Sequence, residues 1–89
     1  MKAVISVIGR DKVGILAKVS SQCAEYGINI IEVTQSVLQD MFCMIMLADI
    51  TESTVSFSEF SEKLDEIGRG MNMSIHCMHE DIFNSMHRI

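Results

Sequence analysis

The sequence lacks proline and tryptophan, long apolar runs and any cluster of basic residues. None of its apolar runs approaches the ~20 residues that a transmembrane helix needs. Lys and Arg make up 7 of its 89 residues, against 12 Asp and Glu, and the net charge is −5. Because affinity for nucleic acids and for anionic membrane surfaces depends on basic groups, we expect neither partner. The missing proline and tryptophan say little about function.

Motifs of several catalytic and metal-binding classes are also missing. The three cysteines form no CxxC pair of a metal chaperone, and the few aromatic residues do not form an RNA-binding sheet motif. An acylphosphatase-type pair of arginine and asparagine is absent too. The segment His76-Cys77-Met78-His79 alternates its side chains across a strand, which favours strand and cap residues over a metal site. The sequence therefore predicts no enzyme, catalytic residue, metal ligand or cofactor.

The cysteines themselves indicate a compartment. Cys23, Cys43 and Cys77 are odd in number, and each lies inside an apolar pattern. Buried free thiols in a reducing environment are the simplest interpretation, so we expect a cytoplasmic protein.

The apolar periodicities predict one domain over residues 1–89. Strands are expected at 2–8, 28–38, 41–50 and 71–78, and helices at 12–26, from Ser56 to Gly68 or Gly70, and at about 80–88. This order predicts an α+β, ferredoxin-like βαββαβ sandwich, in which two helices cover one face of a four-stranded antiparallel sheet, plus a short C-terminal helix.

The two long helices carry recognisable start and stop signals. Asp11 is the expected N-cap of the first helix and Gly27 its stop. The second helix has a capping box of Ser56 and Glu59, closed by a hydrophobic staple between Val55 and Phe60. Helical spacing predicts that the first helix buries Ile15, Leu16, Val19, Cys23 and Tyr26.

The strand at 41–50 is apolar on both of its faces, although two helices can cover only one. The second face must therefore be covered by the tail helix, by a second copy of the chain, or by both. Because exposed apolar patches of this kind usually mark interfaces, we expect a homodimer or a higher homo-oligomer. The residues expected on one face of the tail helix are Ile82, Phe83, Met86 and Ile89.

One junction in the chain suits a ligand. In Gly9-Arg10-Asp11-Lys12-Val13-Gly14-Ile15-Leu16 a strand ends at glycine and leads through a charged turn into a helix, which leaves backbone N–H groups free for an anion. Together with Tyr26-Gly27-Ile28-Asn29-Ile30, this stretch resembles the signature of the ACT domain, over about residues 2–78. The chain is similar to small stand-alone ACT proteins of uncharacterised function and to the ACT segments of glycine-cleavage repressor-like proteins.

The resemblance implies a function. ACT domains commonly regulate amino-acid metabolism, form pairs, and bind small ligands, typically amino acids, between subunits. On this chain it implies a site formed by Asp11, Val13, Gly14, Ile15 and Leu16 on one side and by Asn29, Ile30 and Ile31 on the other.

Two alternatives stay open at this point. Asp11 and Asn29 could serve only as caps, and Gly14 could serve only close helix packing. The whole domain could likewise be an interaction or dimerisation module that binds no ligand.

Overall fold

The computed structural model describes residues 1–10 and 14–86, and it confirms the expected ferredoxin-like fold. The strands are β1 (Lys2–Gly9), β2 (Asn29–Leu38), β3 (Met41–Asp49) and β4 (Met73–His79), and the helices are α1 (Ile15–Glu25), α2 (Phe57–Gly70) and α3 (Glu80–Met86). The strands form an antiparallel sheet in the order β2-β3-β1-β4. β2 is therefore an edge strand. Within the described ranges, no helix has both the length and the apolar character needed to cross a bilayer.

The register gives the sheet two ends, which matter for the site. We call the end that holds Gly9, Leu38, Met41 and Met73 the upper end, and the end that holds Lys2, Asn29, Asp49 and His79 the lower end. The eight residues of β1 span about 24 Å between them.

The core lies between α1, α2 and the face of the sheet that we call inner. Alternate residues of each strand point to this face because successive side chains of a strand point to opposite sides. The sheet contributes Ala3, Ile5, Val7, Phe42, Met44, Met46, Ala48, Met73 and Ile75, all buried, and the helices add Ile15, Val19, Cys23, Phe60 and Leu64. The opposite face of the sheet, which we call outer, is the one that α1 and α2 do not cover.

The first helix begins later than predicted. α1 starts at Ile15, with Gly14 as its N-cap, and not at Lys12 with Asp11 as its cap. Asp11, Lys12 and Val13 lie outside the described residues. Leu16 is exposed rather than buried, and Gln22 takes a buried position on α1 in its place. The end of α1 is as predicted: the N–H groups of Gly27 and Ile28 donate to the carbonyls of Ala24 and Cys23, which closes the last turn.

The start of the second helix is as predicted. The hydroxyl of Ser56 accepts a hydrogen bond from the N–H of Glu59 at 3.1 Å, and Val55 and Phe60 both pack in the core. α2 continues through Gly68 and ends at Gly70, and β4 begins at Met73, two residues later than expected.

The outer face is half-covered by α3. This helix crosses the lower end of the outer face, where Val4 is only 5% exposed and Leu47 is half-buried. Phe83 points toward the sheet, but Ile82 is exposed, so the expectation that both lie on one apolar face is wrong. The side chain of Met86 and residues 87–89, with Ile89 among them, lie outside what is described.

Candidate ligand-binding site

The turn after β1 leaves room for a ligand at Gly14. This residue is exposed, adopts a left-handed conformation with φ of 78°, and has no atom within 4 Å of the place where a Cβ would stand. Among residues 1–10 and 14–86 no side chain caps α1, and the first described backbone bond of the helix runs from the Lys18 N–H to the Gly14 carbonyl at 3.0 Å. The N–H groups of this first turn lie at a helix start, which is a place that favours an anion.

The neighbours of Gly14 have different environments. Ile15 is fully buried and fixes the start of α1 in the core, so only its backbone can face a ligand. Leu16 is exposed beside Gly14 and offers an apolar contact. Two other residues of the predicted site, Asp11 and Val13, lie in the part of the loop that is not described.

The second group of predicted site residues lies at the start of β2. Asn29 is exposed at the lower end and stands opposite Asp49. Ile30 is half-buried against the core, opposite Ala48, whereas Ile31 is exposed. The register shifts between Ile30 and Glu32, which leaves Ile31 as the extra residue of a bulge.

The structure does not bring these two groups together within one chain. Gly14 follows the upper end of β1, and Asn29 begins β2 at the lower end. The ends are about 24 Å apart along the sheet, which is much more than a small metabolite spans. A single pocket that contains both groups requires two protomers.

Strand β2 presents the surface on which a second protomer could pair. It is ten residues long, every residue from 31 to 38 is exposed, and its one charged residue is Glu32. Proteins usually protect long edge strands with lysine, proline or a covering element, because unpaired backbone groups recruit another strand. The sequence indicated this strand but not its edge position, which depends on the strand order. Its exposed apolar residues are Ile31, Val33, Val37 and Leu38.

Three ionisable groups of the described residues have shifted pKa values, two thiols and one carboxyl group. Burial raises the pKa of the Cys23 thiol to about 11 and that of Cys77 to about 12, so both stay protonated at neutral pH. Hydrogen bonds from the hydroxyl and N–H of Thr51 lower the pKa of Asp49. His79 stacks on Phe57 with ring centres 4.2 Å apart. No cluster of three or more metal-binding side chains occurs in residues 1–10 and 14–86.

One cavity lies away from the predicted site. It has a volume of about 190 Å³ and opens at the lower end, beside the start of α2. Most of its lining side chains are apolar, with Ser53 as the polar one, and it holds none of the predicted site residues. The lining residues are Met1, Ile50, Ser53, Val55, Phe57 and Phe60.

Comparison with known proteins agrees with the resemblance seen in the sequence. The model of the ACT domain family matches residues 2–78. A UPF0237 protein of Clostridium acetobutylicum is 52% identical over 89 residues, and the match covers 100% of both chains.

Solved structures show the same fold. An ACT domain protein from Streptococcus pneumoniae superposes with a TM-score of 0.81 at 35% identity, over 93% of each chain. The regulatory subunit of aspartate kinase from Thermus thermophilus gives 0.64 at 25% identity, over 86% of this chain and 50% of that one. A glycine cleavage repressor-like protein gives 0.71 at 20% identity, over 86% and 44%, and this likeness concerns the fold alone.

Proposed function

The chain belongs to the ACT domain family, a regulatory ligand-binding type of domain, and from this we propose that it binds an amino acid or a related metabolite between two copies of itself. The observation that carries the proposal is the position of the two groups of site residues at opposite ends of one protomer. Pairing of two copies along the free edge of β2 would bring the two groups together.

Antiparallel pairing of β2 with the β2 strand of a second copy explains how the site is completed. Such a pair has a two-fold axis perpendicular to the sheet, so the lower end of one β2 lies beside the upper end of the other. Asn29, Ile30 and Ile31 of one copy then approach the end at which Gly14 of the other copy lies. The dimer contains two such sites.

The chemistry on each side fits the two ends of an amino acid. The backbone N–H groups of the first turn of α1, with the positive end of the helix dipole, suit a carboxylate. In our proposal Asp11 faces the ammonium group, Asn29 offers a donor and an acceptor, and Leu16 contacts the ligand side chain. Val13 and the backbone of Ile15 complete the first half. Ile30 and Ile31 complete the second.

The link to amino acids is supported by the family and by one neighbour. The aspartate kinase subunit carries this fold as a regulatory part of an enzyme that acts on an amino acid. Three free thiols in the chain fit a reducing compartment, and we place the protein in the cytoplasm. An interaction module without ligand is the second candidate, which the exposed β2 edge favours equally.

A thermal-shift screen with the twenty amino acids separates the two candidates. A ligand present at 100 times its dissociation constant stabilises the folded protein by about 2.7 kcal/mol, which shifts the Tm of a domain of this size by roughly 10 °C or more. We expect such a shift with at least one amino acid. If no amino acid shifts the Tm while the protein remains dimeric by light scattering, the interaction module is the better account.

Mixing two defective variants tests whether the site is shared between copies. Gly14→Asn fills the open space while keeping a residue that tolerates the left-handed conformation, and Asn29→Ala removes the amide. Each variant alone should lose binding of the amino acid found in the screen. A mixed dimer regains one intact site, so an equilibrated equimolar mixture should bind at about a quarter of the sites. No recovery in the mixture contradicts the shared site.

Two lysines on the edge strand test the pairing itself. Val33→Lys together with Val37→Lys places charge on exposed positions of β2 and should abolish edge pairing, as lysine does on natural edge strands. We expect the loss of amino-acid binding and a halved mass by light scattering, with an unchanged circular dichroism spectrum. Ala24→Lys, on the exposed surface of α1, is the control and should change neither.

A further inference from the structure

A cavity lies between α3 and the lower half of the outer face of the sheet. Its volume is about 230 Å³, below the ~300 Å³ at which pockets for drug-sized ligands begin. The floor is apolar, because Val4 and Leu47 stand side by side on β1 and β3, and Phe83 of α3 lies on the helix side. The cavity therefore has the size and the apolar surface that suit a small metabolite, and the described residues of the proposed amino-acid site do not line it.

Two carboxylate groups lie at opposite ends of this floor. Glu32 pairs with Leu47, and Leu47 pairs with Val4, so the three residues form one row across β2, β3 and β1. On the other side of β1, Val4 pairs with Met78 of β4, and Glu80 begins α3 two residues later. Since adjacent strands are about 4.8 Å apart, the backbones of β2 and β4 are about 14 Å apart, and the two glutamates line the cavity from its two sides.

The bulge at Ile31 is what turns Glu32 toward this cavity. Ile30 packs against the core opposite Ala48, and regular alternation would turn Glu32, two residues later, to the same inner face. Because Ile31 is an extra residue, Glu32 pairs with Leu47 instead, and both line the cavity on the outer face. Bulges occur often beside functional sites, where they redirect a side chain. This bulge gives the cavity the one charged side chain of β2.

The charge of the cavity is negative and unmatched among the described residues. None of those that line it is basic, and none forms an ion pair or a side-chain hydrogen bond with the carboxylate of Glu32 or Glu80. Lys2 borders a neighbouring cavity together with Glu80 and Asp81, and no ion pair joins it to either. Because the whole chain also carries a net charge of −5, the field at this cavity favours a cation.

We propose that this cavity binds a linear aliphatic amine with a positive charge at each end, as diamines and polyamines have. Its methylene chain lies over Val4 and Leu47, and its terminal ammonium groups meet Glu32 and Glu80. A divalent metal ion requires several oxygen ligands around one point and gains nothing from an apolar floor between two carboxylates. The site is contained in one copy of the chain, so it does not depend on the pairing of β2 that the proposed function requires.

Calorimetric titration with matched compounds tests the site, at low ionic strength because salt screens such ion pairs. We expect cadaverine and spermidine to bind. Pentylamine, which has the same chain as cadaverine but forms one ion pair fewer, should bind about twofold to fivefold more weakly. Pentanediol, which has the chain without the charges, should not bind measurably. Equal binding of pentylamine and cadaverine overturns the two-ended site, and so does the absence of binding by both cadaverine and spermidine at millimolar concentration.

Three variants that each remove one carboxylate locate the site. Glu32→Gln and Glu80→Gln should each weaken the binding of cadaverine about twofold to fivefold. Asp81→Asn is the matched control and should not, because Asp81 borders the neighbouring cavity and not this one. An equal loss in all three variants indicates a general attraction to an acidic chain and overturns the site. Glu80→Gln should leave the amino-acid shift of the thermal screen unchanged, so the failure of one proposal is distinguishable from the failure of the other.

Methyl chemical shifts test whether the ligand lies on the apolar floor. We expect cadaverine to move the methyl resonances of Val4 and Leu47. The methyl resonances of Val37 and Leu38, at the upper end of β2, should stay unchanged. Binding that leaves Val4 and Leu47 unmoved overturns the assigned cavity.

Discussion

Gly68 lies where α2 approaches β4 most closely. A Cβ at this position would stand 2.6 Å from the Met73 carbonyl oxygen and 3.0 Å from Cγ1 of Ile75. A backbone oxygen cannot rotate away as a side chain can, so helix and strand must move apart to admit even one methyl group. Gly70, two residues further along the same helix, has no atom within 4 Å of its own Cβ position.

The two glycines therefore respond to alanine with opposite signs. Gly68→Ala should lower the free energy of unfolding by about 1–3 kcal/mol, the usual cost of overpacking. Gly70→Ala should raise it by up to ~1 kcal/mol, since alanine is the better helix former. Urea unfolding monitored by circular dichroism measures both. Stabilisation by both substitutions contradicts the close contact at Gly68.

The sequence could not separate these two residues. Both were interpreted as stop signals because glycine commonly ends a helix, yet α2 runs through Gly68 and ends at Gly70. What distinguishes Gly68 is its distance from another element, and a local pattern carries no information about such distances. Gly14 is a similar case. Its role as N-cap depends on its backbone angle, which the sequence does not give, and Asp11, three residues earlier, is a more common cap residue.

At the scale of elements, the predicted start of a helix is correct where several sequence signals for it coincide. The start of α2 was marked by Ser56, Glu59, Val55 and Phe60 together, and the structure confirms it. The start of α1 had a single signal and was placed three residues too early. The bulge at Ile31 had no signal in the alternation of β2, and it appears only in the pairing with β3.

The orientation of α3 gives a prediction at this scale. Phe83 faces the sheet and Ile82 faces outward, so Phe83→Ala should lower the free energy of unfolding by about 1.5–3 kcal/mol, less than the 3–5 kcal/mol of a fully buried phenylalanine. Ile82→Ala should change it by no more than ~0.5 kcal/mol in protein dilute enough to prevent association. Urea unfolding of the two variants at equal concentration measures the difference. Equal losses contradict the orientation of the helix.

At the scale of the whole molecule, the strand order decides which surfaces are free. The sequence predicted four strands and an unpaired apolar face, and both are present. It did not predict that β2 lies at the edge, because antiparallel strands that follow each other can occupy a central or an outer position. The candidate site depends on this fact, since an edge position for β2 is what allows Asn29 of one copy to reach Gly14 of another.

The core as a whole contains two thiols that make the protein sensitive to alkali. Cys23 on α1 and Cys77 on β4 are shielded from water, and their pKa values rise to about 11 and about 12, with Cys23 adding to the shift of Cys77. The thiols of the unfolded chain have a pKa near 8.5. The folded state therefore holds these protons above pH 8.5 while the unfolded state releases them.

The contribution of these thiols to the free energy of unfolding should therefore not change with pH below about pH 8. It should fall as the pH rises toward 11. For the fully buried Cys23 alone, we expect a free energy of unfolding about 1–2 kcal/mol lower at pH 10 than at pH 8. The control is the variant with Cys23→Ala and Cys77→Ala, which is less stable at every pH but lacks this decline. Because the two proteins differ only at these two positions, the difference between their urea midpoints across pH 7–10 isolates the thiols. Parallel curves for the two proteins contradict the burial of these thiols as the cause.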